Sequence, residues 1–180
     1  LSVNGTESEI VTTKTGNQTS VTVNVRNTLT DTLYDMAVEV KVAGNVLVRD
    51  RVNVQKGYYD STKDVIRFDP SGNSDLAQVS PGETQTFSFI LNPGSETNTP
   101  SFTLNANAYA RRVSEASATE QLVGTAKTEV KFTSAVRINR ELGRGTGTFA
   151  ETGPFPPVAD LATTYTVTLI AGAGGNDVTS

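Results

Sequence analysis

The sequence predicts an all-β sandwich, and three observations carry that prediction. Apolar residues recur at every second position in run after run, and polar turn residues interrupt the runs at intervals of about 8 to 12 residues. Thr makes up about one residue in seven, whereas the good helix formers Leu, Glu and Lys are scarce. β-Branched Thr favours extended backbone and tolerates water, so it suits the outward positions of a pleated sheet.

The elements follow in order. Ile10 to Thr13 is a short strand, and Thr15-Gly16-Asn17-Gln18 is a turn in which Gly16 is free to take positive φ. Ser20 to Arg26 alternates, with Val21, Val23 and Val25 on one face and Thr22, Asn24 and Arg26 on the other. Asn27 to Thr32 is a polar turn. Leu33 to Val42 sets Met36, Val38, Val40 and Val42 against Asp35, Glu39 and Lys41. Val46 to Val54 repeats the pattern around an Arg49-Asp50-Arg51 interruption. Gly57-Tyr58-Tyr59 and Val65 to Phe68 are two short strands around the turn Asp60 to Asp64, and Asp69 to Ser80 is a loop. Ser80-Pro81-Gly82-Glu83 is a turn with Pro preset at one corner and Gly at the next. It launches Thr84 to Leu91, where Phe87, Phe89 and Leu91 share a face; Asn92 to Pro100 is a further loop. Phe102, Leu104, Ala106 and Ala108 form the inward row of a long strand, with Tyr109 opposite. Arg111 to Glu120 supports either a helical turn or a hairpin connection. Gln121 to Phe132 closes the set through Ala126, Thr128, Val130 and Phe132. Val136-Arg137-Ile138 restarts an alternating run, and Gly143 to Gly147 is a Gly-rich turn. Gly153 to Pro157 is an extended edge segment, because its prolines lack the ladder donor. The strand Thr163 to Ile170 comes last.

Two stretches repeat. Thr19 to Met36, TSVTVNVRNTLTDTLYDM, and Thr163 to Ser180, TTYTVTLIAGAGGNDVTS, are each a Thr-rich alternating strand, a small polar turn and a new apolar start, at Leu33 and Val178. They lie roughly 144 residues apart, one domain length. The expectation is one complete β-domain plus the opening of another, cut from a longer array.

The totals narrow the chemistry. The chain has 180 residues, 36% of them hydrophobic, and a formal net charge of −4. That is enough for one good core. Nucleic acid is not an expected partner, since Arg111-Arg112 and Arg137, Arg140 and Arg144 are the densest basic spots and acids lie close to both. There is no Cys and no His, which removes disulfides, thiolate chemistry and every Ser-His or Cys-His relay. No apolar run approaches the ~20 residues of a membrane span. The opening LSVNGTESE does not read as a signal peptide.

The segment VTTKTGNQTSVTVNVRNTLTDTLYDMAVEV, Val11 to Val40, is similar to the conserved-repeat, immunoglobulin-like domains of bacterial and archaeal cell-surface proteins. The shared features are the Gly turn at Gly16, the strand Ser20 to Val25, Asn27, and the apolar strand Leu33 to Val40. VSPGETQTFSFIL, Val79 to Leu91, resembles the later turn and strand of such domains. GPFPPVADLATTYTV, Gly153 to Val167, resembles the opening of a following repeat, as in surface proteins of reduced-genome bacteria. One departure is Asp160-Leu161, where the first copy has Gly16-Asn17. The resemblance implies an Ig-like antiparallel β-sandwich over residues 1–135 and an incomplete second sandwich over 136–180. It implies export to the cell surface, service as a spacer or adhesive stalk, and no shared active site.

Several constellations invite chemistry. Asp69, Ser71, Asn73 and Asp75 place oxygen side chains at alternate positions, a pattern that can wrap Ca²⁺, but the Gly is misplaced for an EF-type loop and no Glu closes the shell. Asp60/Asp64 and Asp31/Asp35 are weaker versions. Glu39, Glu83 and Glu129 are the acids a glycosidase reading would use. Lys41, Lys127 and Lys131 with Asn105 and Asn107 are the residue types of a Lys–Asn cross-link, yet all fall on polar faces. Gly143, Gly145 and Gly147 lack the Lys of a phosphate loop. Asn4-Gly-Thr6 and Asn17-Gln-Thr19 match the N-glycosylation pattern, and Tyr58 and Tyr59 offer a stacking surface. None of these is assigned as a catalytic, metal or cofactor residue. The expected function is a non-enzymatic, extracellular spacer, one repeat of an array, with neighbouring domains as partners. The alternatives are a glycan- or protein-binding adhesin module and a fibre subunit assembled by strand exchange.

Overall fold

The structure, a computed structural model, describes residues 1–14, 16–45, 47–94, 100–133, 136–144, 148 and 150–173. They fall into two units, Leu1–Thr133 and Ser134–Ser180.

The first unit is a two-layer sandwich. Its strands are β1 (Ser2–Val3), β2 (Ile10–Lys14), β3 (Thr19–Arg26), β4 (Leu33–Gly44), β5 (Asn53–Val54), β6 (Tyr58–Asp60), β7 (Val65–Phe68), β8 (Gln78–Val79), β9 (Thr84–Leu91), β10 (Ser101–Arg111) and β11 (Gln121–Thr133). One sheet has the order β1-β3-β9-β5. The other runs β2-β11-β10-β4-β7-β6, with β8 on β4. The only helical pieces among the described residues are the 3₁₀ turns Arg49–Arg51 and Ser74–Ala77.

Period-two alternation places the core. Val21, Val23, Phe87, Phe89 and Leu91 point inward from the smaller sheet. Met36, Val38, Val40, Ile66, Phe68, Phe102, Leu104, Val130 and Phe132 meet them from the larger one. Phe68 of β7 lies 4.9 Å from Phe87 and 6.4 Å from Phe89 of β9, ring centre to ring centre, so one side chain ties the two layers. Each such burial contributes roughly 1.5–3 kcal/mol. Asn27 closes the corner between layers. Its Nδ2 donates to the Asp31 and Val79 carbonyls at 2.9 and 3.0 Å, and its Oδ1 accepts from Leu29 N at 3.1 Å. Its backbone exchanges bonds with Gly82 and Glu83.

Three expectations need correction. The sandwich is not wholly antiparallel: β2 pairs with β11 in parallel, from Ile10↔Glu129 to Lys14↔Thr133. The chain reverses at Asn4-Gly5, both at positive φ, and leaves β1 for the other sheet, arriving alongside β11 in the same direction. Residues 46–54 do not make one strand. Val46 lies outside the described residues, Leu47 makes a lone bridge to Pro93, and the three charges Arg49–Arg51 coil outward before β5. Of the two readings of Arg111 to Glu120, the hairpin connection holds: Arg111 ends β10 and residues 112–120 lead to β11. The last strand starts at Thr166 instead of Thr163, because Thr164 is drawn to Thr152 through N→O and Oγ1 contacts of 3.0 and 2.7 Å.

The second unit holds β12 (Val136–Gly143) and β13 (Thr166–Ala173), paired antiparallel from Val136↔Ala173 to Gly143↔Thr166. Of the Gly143 to Gly147 turn, Gly145 and Gly147 lie outside the described residues.

Candidate functional site

Most of the acids singled out in the sequence are engaged within the fold. Asp69 Oδ1 accepts from Ser71 N at 3.1 Å and from Ser71 Oγ, while Oδ2 accepts from Arg67 Nε at 3.2 Å. Asn73 Oδ1 caps the 3₁₀ turn through Asp75 N at 3.4 Å. The Asp69 and Asn73 oxygens serve their own loop, and the Arg67 guanidinium lies beside Asp69, which is hostile to a divalent cation there. The Ser71 hydrogen bond, ahead of the Arg67 contact, holds the Asp69 carboxyl below the usual range. Asp60 accepts from Thr62, and Asp35 pairs with Arg111. Among the described residues no three Asp or Glu side chains cluster.

The glycosidase acids do not face one another. Glu39 sits opposite Asn107 and Glu129 opposite Thr103, two strands and four residues apart, hence about 16 Å in Cα terms. Two-carboxylate catalysis needs about 5–9.5 Å. Glu39 is held by Arg67 and Glu129 by Lys131. Glu83 folds back onto Ser80 N at 2.9 Å. Lys41, Asn105 and Lys127 do line up abreast across β4, β10 and β11, but on the outer face, with both lysines exposed. A charged ammonium in water is no nucleophile. The Asn4 side chain is bonded to Ser20 N and Thr13 Oγ1, and Thr19, which completes the second glycosylation pattern, is fully buried. Tyr58 stands 51% exposed on the edge strand β6, while Tyr59 turns to Asp64.

Two arrangements emerge that residue types alone did not single out. The first is a cross-linked corner. Arg49 holds Asp64 through both oxygens, at 2.7 and 2.6 Å, and Tyr59 OH donates to the same carboxylate at 2.7 Å. The bonds from Arg49, then Tyr59, keep the Asp64 carboxyl below its ordinary range. Burial, aided by Asp64, pushes Tyr59 up to about 12.

The second is the pairing of the first unit's outer strands. Five pairs join β2 to β11, and only Val11 of β2 is buried. Bonds outside the strand ladder lengthen the seam: Glu129 N to Glu9 O at 2.8 Å, Thr128 Oγ1 to Ser8 O at 3.2 Å and Thr133 Oγ1 to Thr13 O at 3.3 Å. Tension between Leu1 and Thr133 first loads the two-residue β1–β3 ladder, and once that opens it reaches β2 at its first residue and β11 at its last. Parallel strands pulled from opposite ends must slide, so the bonds load together.

In the second unit, Arg144 organises a loop. Its guanidinium donates to the carbonyls of Thr152, Gly153 and Pro154, lies 3.6 Å from Glu151 Oε2 and covers the Phe155 ring at 5.6 Å. Beside it is a cleft of about 690 Å³ lined by Leu142, Gly143, Arg144, Glu151, Phe155 and Tyr165.

No protein-family model matches the chain, and no curated protein matches it. Solved structures do. Domains D2 and D3 of the major pilin SpaD from Corynebacterium diphtheriae are 13% identical, covering 93% of this chain and 75% of that one, with a TM-score of 0.42. The collagen-binding domain of a Staphylococcus aureus adhesin is 13% identical over 63% of this chain and 87% of that one, at 0.39. AvmM, which catalyses macrocyclization in alchivemycin A biosynthesis, is 10% identical over 73% and 86%, at 0.47. At these values the likeness is one of outline, and the fold assignment rests on the strand order above.

Proposed function

We propose that the first unit is a non-enzymatic, load-bearing spacer of a cell-surface protein, with neighbouring domains as its partners. The observation that supports this reading is the parallel β2–β11 seam, which sets the larger sheet's first and last strands in shear under tension between Leu1 and Thr133. Each bond is worth about 1 kcal/mol net, so a five-pair seam resists far better when its bonds break together than one at a time. Glu39, Asp60, Asp64, Asp69 and Glu83 serve the unit's own turns and ion pairs, which favours a structural role over hydrolysis. Single-molecule pulling tests this. The chain has no Cys, so thiol handles are unambiguous. Pulled through residue 1 and Thr133→Cys, the seam shears; pulled through Asn17→Cys and Thr133→Cys, it unzips from one end. The unfolding force is expected to be several-fold higher in the first geometry, and equal forces sink the reading.

The cleft beside Arg144 favours a second reading, a recognition module for glycan or peptide, since Phe155 and Tyr165 offer aromatic surface at its rim. Binding on a glycan array that is lost in Phe155→Ala is its test.

A further inference from the structure

Asn4 is the one asparagine of the chain that is followed by glycine. Such a pair carries its own chemistry. The Gly5 nitrogen attacks the carbonyl carbon of the Asn4 side chain, an approach that no Cβ on glycine hinders. A bond forms from Gly5 N to Cγ, the Cγ–Nδ2 bond breaks, and ammonia leaves with the proton of Gly5 N. Water then opens the cyclic imide at one carbonyl or the other, giving aspartate or isoaspartate. Water is the only co-reactant. Asn4 and Gly5 are both exposed, so water arrives and ammonia departs freely.

The fold holds this pair shut. Val3 and Thr6 exchange both backbone bonds at 2.9 Å around Asn4 and Gly5, whose φ values are +49° and +79°. That is the two-residue hairpin turn that an Asn-Gly pair favours. Both ends of the Asn4 amide are then fastened to other strands. Its Oδ1 accepts from Ser20 N of β3 at 2.9 Å, and its Nδ2 donates to Thr13 Oγ1 of β2 at 3.3 Å. Asn4 N donates to Ser20 O at 2.8 Å. Turning Cγ onto Gly5 N gives up both side-chain bonds. Val3, fully buried, keeps β1 and the turn seated. A group that reacts only when its surroundings open reacts at its unfolded rate multiplied by the open fraction, as amide exchange does.

We infer that Asn4–Gly5 is a self-modification site gated by the β1 corner: it converts, without return, when β1 and its turn lift from β3. The two products differ in consequence. Aspartate keeps the backbone of the turn and an oxygen for Ser20 N. Isoaspartate routes the backbone through the former side chain and lengthens it by one carbon, so the Val3–Thr6 exchange and the Ser20 contact are both lost and Val3 does not reseat. The corner thereby keeps a chemical record of its own opening. The inference covers opening by any cause and stands apart from the load-bearing reading.

The test ages the full chain, made in a host that does not glycosylate, at mildly alkaline pH. Aspartate plus isoaspartate at position 4 is counted by mass spectrometry of its peptides. Conversion in the folded chain is expected to run at least about 10-fold slower than in the same chain unfolded in urea. Val3→Ala trims the buried anchor of β1 and should speed conversion in buffer by about 10-fold, with the urea rate unchanged. Thr13→Val removes only the Nδ2 partner and should act in the same direction to a smaller degree. Ile66→Val, equally buried but on β7 of the other sheet, weakens the unit away from the corner and should leave the rate as it is. Equal rates in buffer and in urea overturn the inference, since the fold then closes nothing. A faster rate in buffer overturns it too, because Ser20 N–H is then activating the carbonyl. Unchanged conversion in both Val3→Ala and Thr13→Val has the same force. Acceleration by Ile66→Val equal to that by Val3→Ala means that global unfolding exposes the pair, and the corner is not the gate.

Discussion

Replacing Thr19 by Val is expected to stabilise the protein. Thr19 opens β3 opposite Leu91; both are fully buried, and the Thr19 hydroxyl has no hydrogen-bond partner among the described residues. A buried polar group left unpaired costs about 1–3 kcal/mol. Valine keeps the branched shape and the strand preference and substitutes a methyl for the hydroxyl, so the gain should approach that range. With a urea dependence of about 2 kcal/mol per molar, the midpoint moves up by roughly 0.5–1.5 M with an unchanged slope. Thr19→Ser is the companion: it keeps the hydroxyl, loses a methyl and should cost about 1 kcal/mol. Both variants are made in a host that does not glycosylate, since Thr19→Val also removes the pattern at Asn17. A Val variant less stable than the parent, with Ser neutral, refutes the reasoning, because it means that the hydroxyl is bonded and the methyl is not needed.

Other outcomes follow from the same geometry. Asn27→Ala removes three side-chain bonds at a buried corner and strands the carbonyl of Val79, so a loss of about 2–4 kcal/mol is expected by thermal or urea unfolding. Phe68→Ala removes the ring between the layers and should cost about 3–5 kcal/mol. The Asp64 carboxyl is depressed in the folded state. Its contribution is therefore present above the unfolded value of about 3.9 and is lost as pH falls through the folded value, so Asp64→Asn should flatten the acid limb of a stability–pH curve. Tyr59 is raised from 10.0 to about 12, so its contribution is present below 10 and disappears between those two values. In ultraviolet titration Asp64→Asn should bring the Tyr59 transition down, because the carboxylate that helps raise it is gone. Gly153→Ala puts a Cβ 2.7 Å from Thr163 Cα at a φ of +91°; amide exchange should speed up in residues 151–166 and stay unchanged in the first unit.

The long strands were legible because each has one wet face. β9 falls on the residues read from the alternation Phe87, Phe89, Leu91, and β3, β4 and β10 match to within a few residues at each end. Short pieces were not legible. β1 and β5 have two residues each, too few to show a period, and exist because a neighbouring strand supplies the ladder. The parallel direction of β2 was equally hidden, since periodicity carries no sense of direction. The Arg49–Asp64–Tyr59 corner and the Arg144 loop depend on how irregular connections fold back, which periodicity does not report, and only the resemblance pointed to Asn27. The Lys41–Asn105–Lys127 row shows the converse: the right residue types do meet, on the face where solvent removes their chemistry.

The β2–β11 seam also sets a schedule. Val11 pairs with Val130, 119 positions later, so the first of these strands must wait for nearly the whole domain to be made. At about 5–20 residues per second that is some 6–24 s with Ile10 and Val11 uncovered. Synthesis of such a domain therefore ends with a fastening step, and until its last strand emerges a nascent copy is open to any chaperone, or any stray strand, that reaches β2 first.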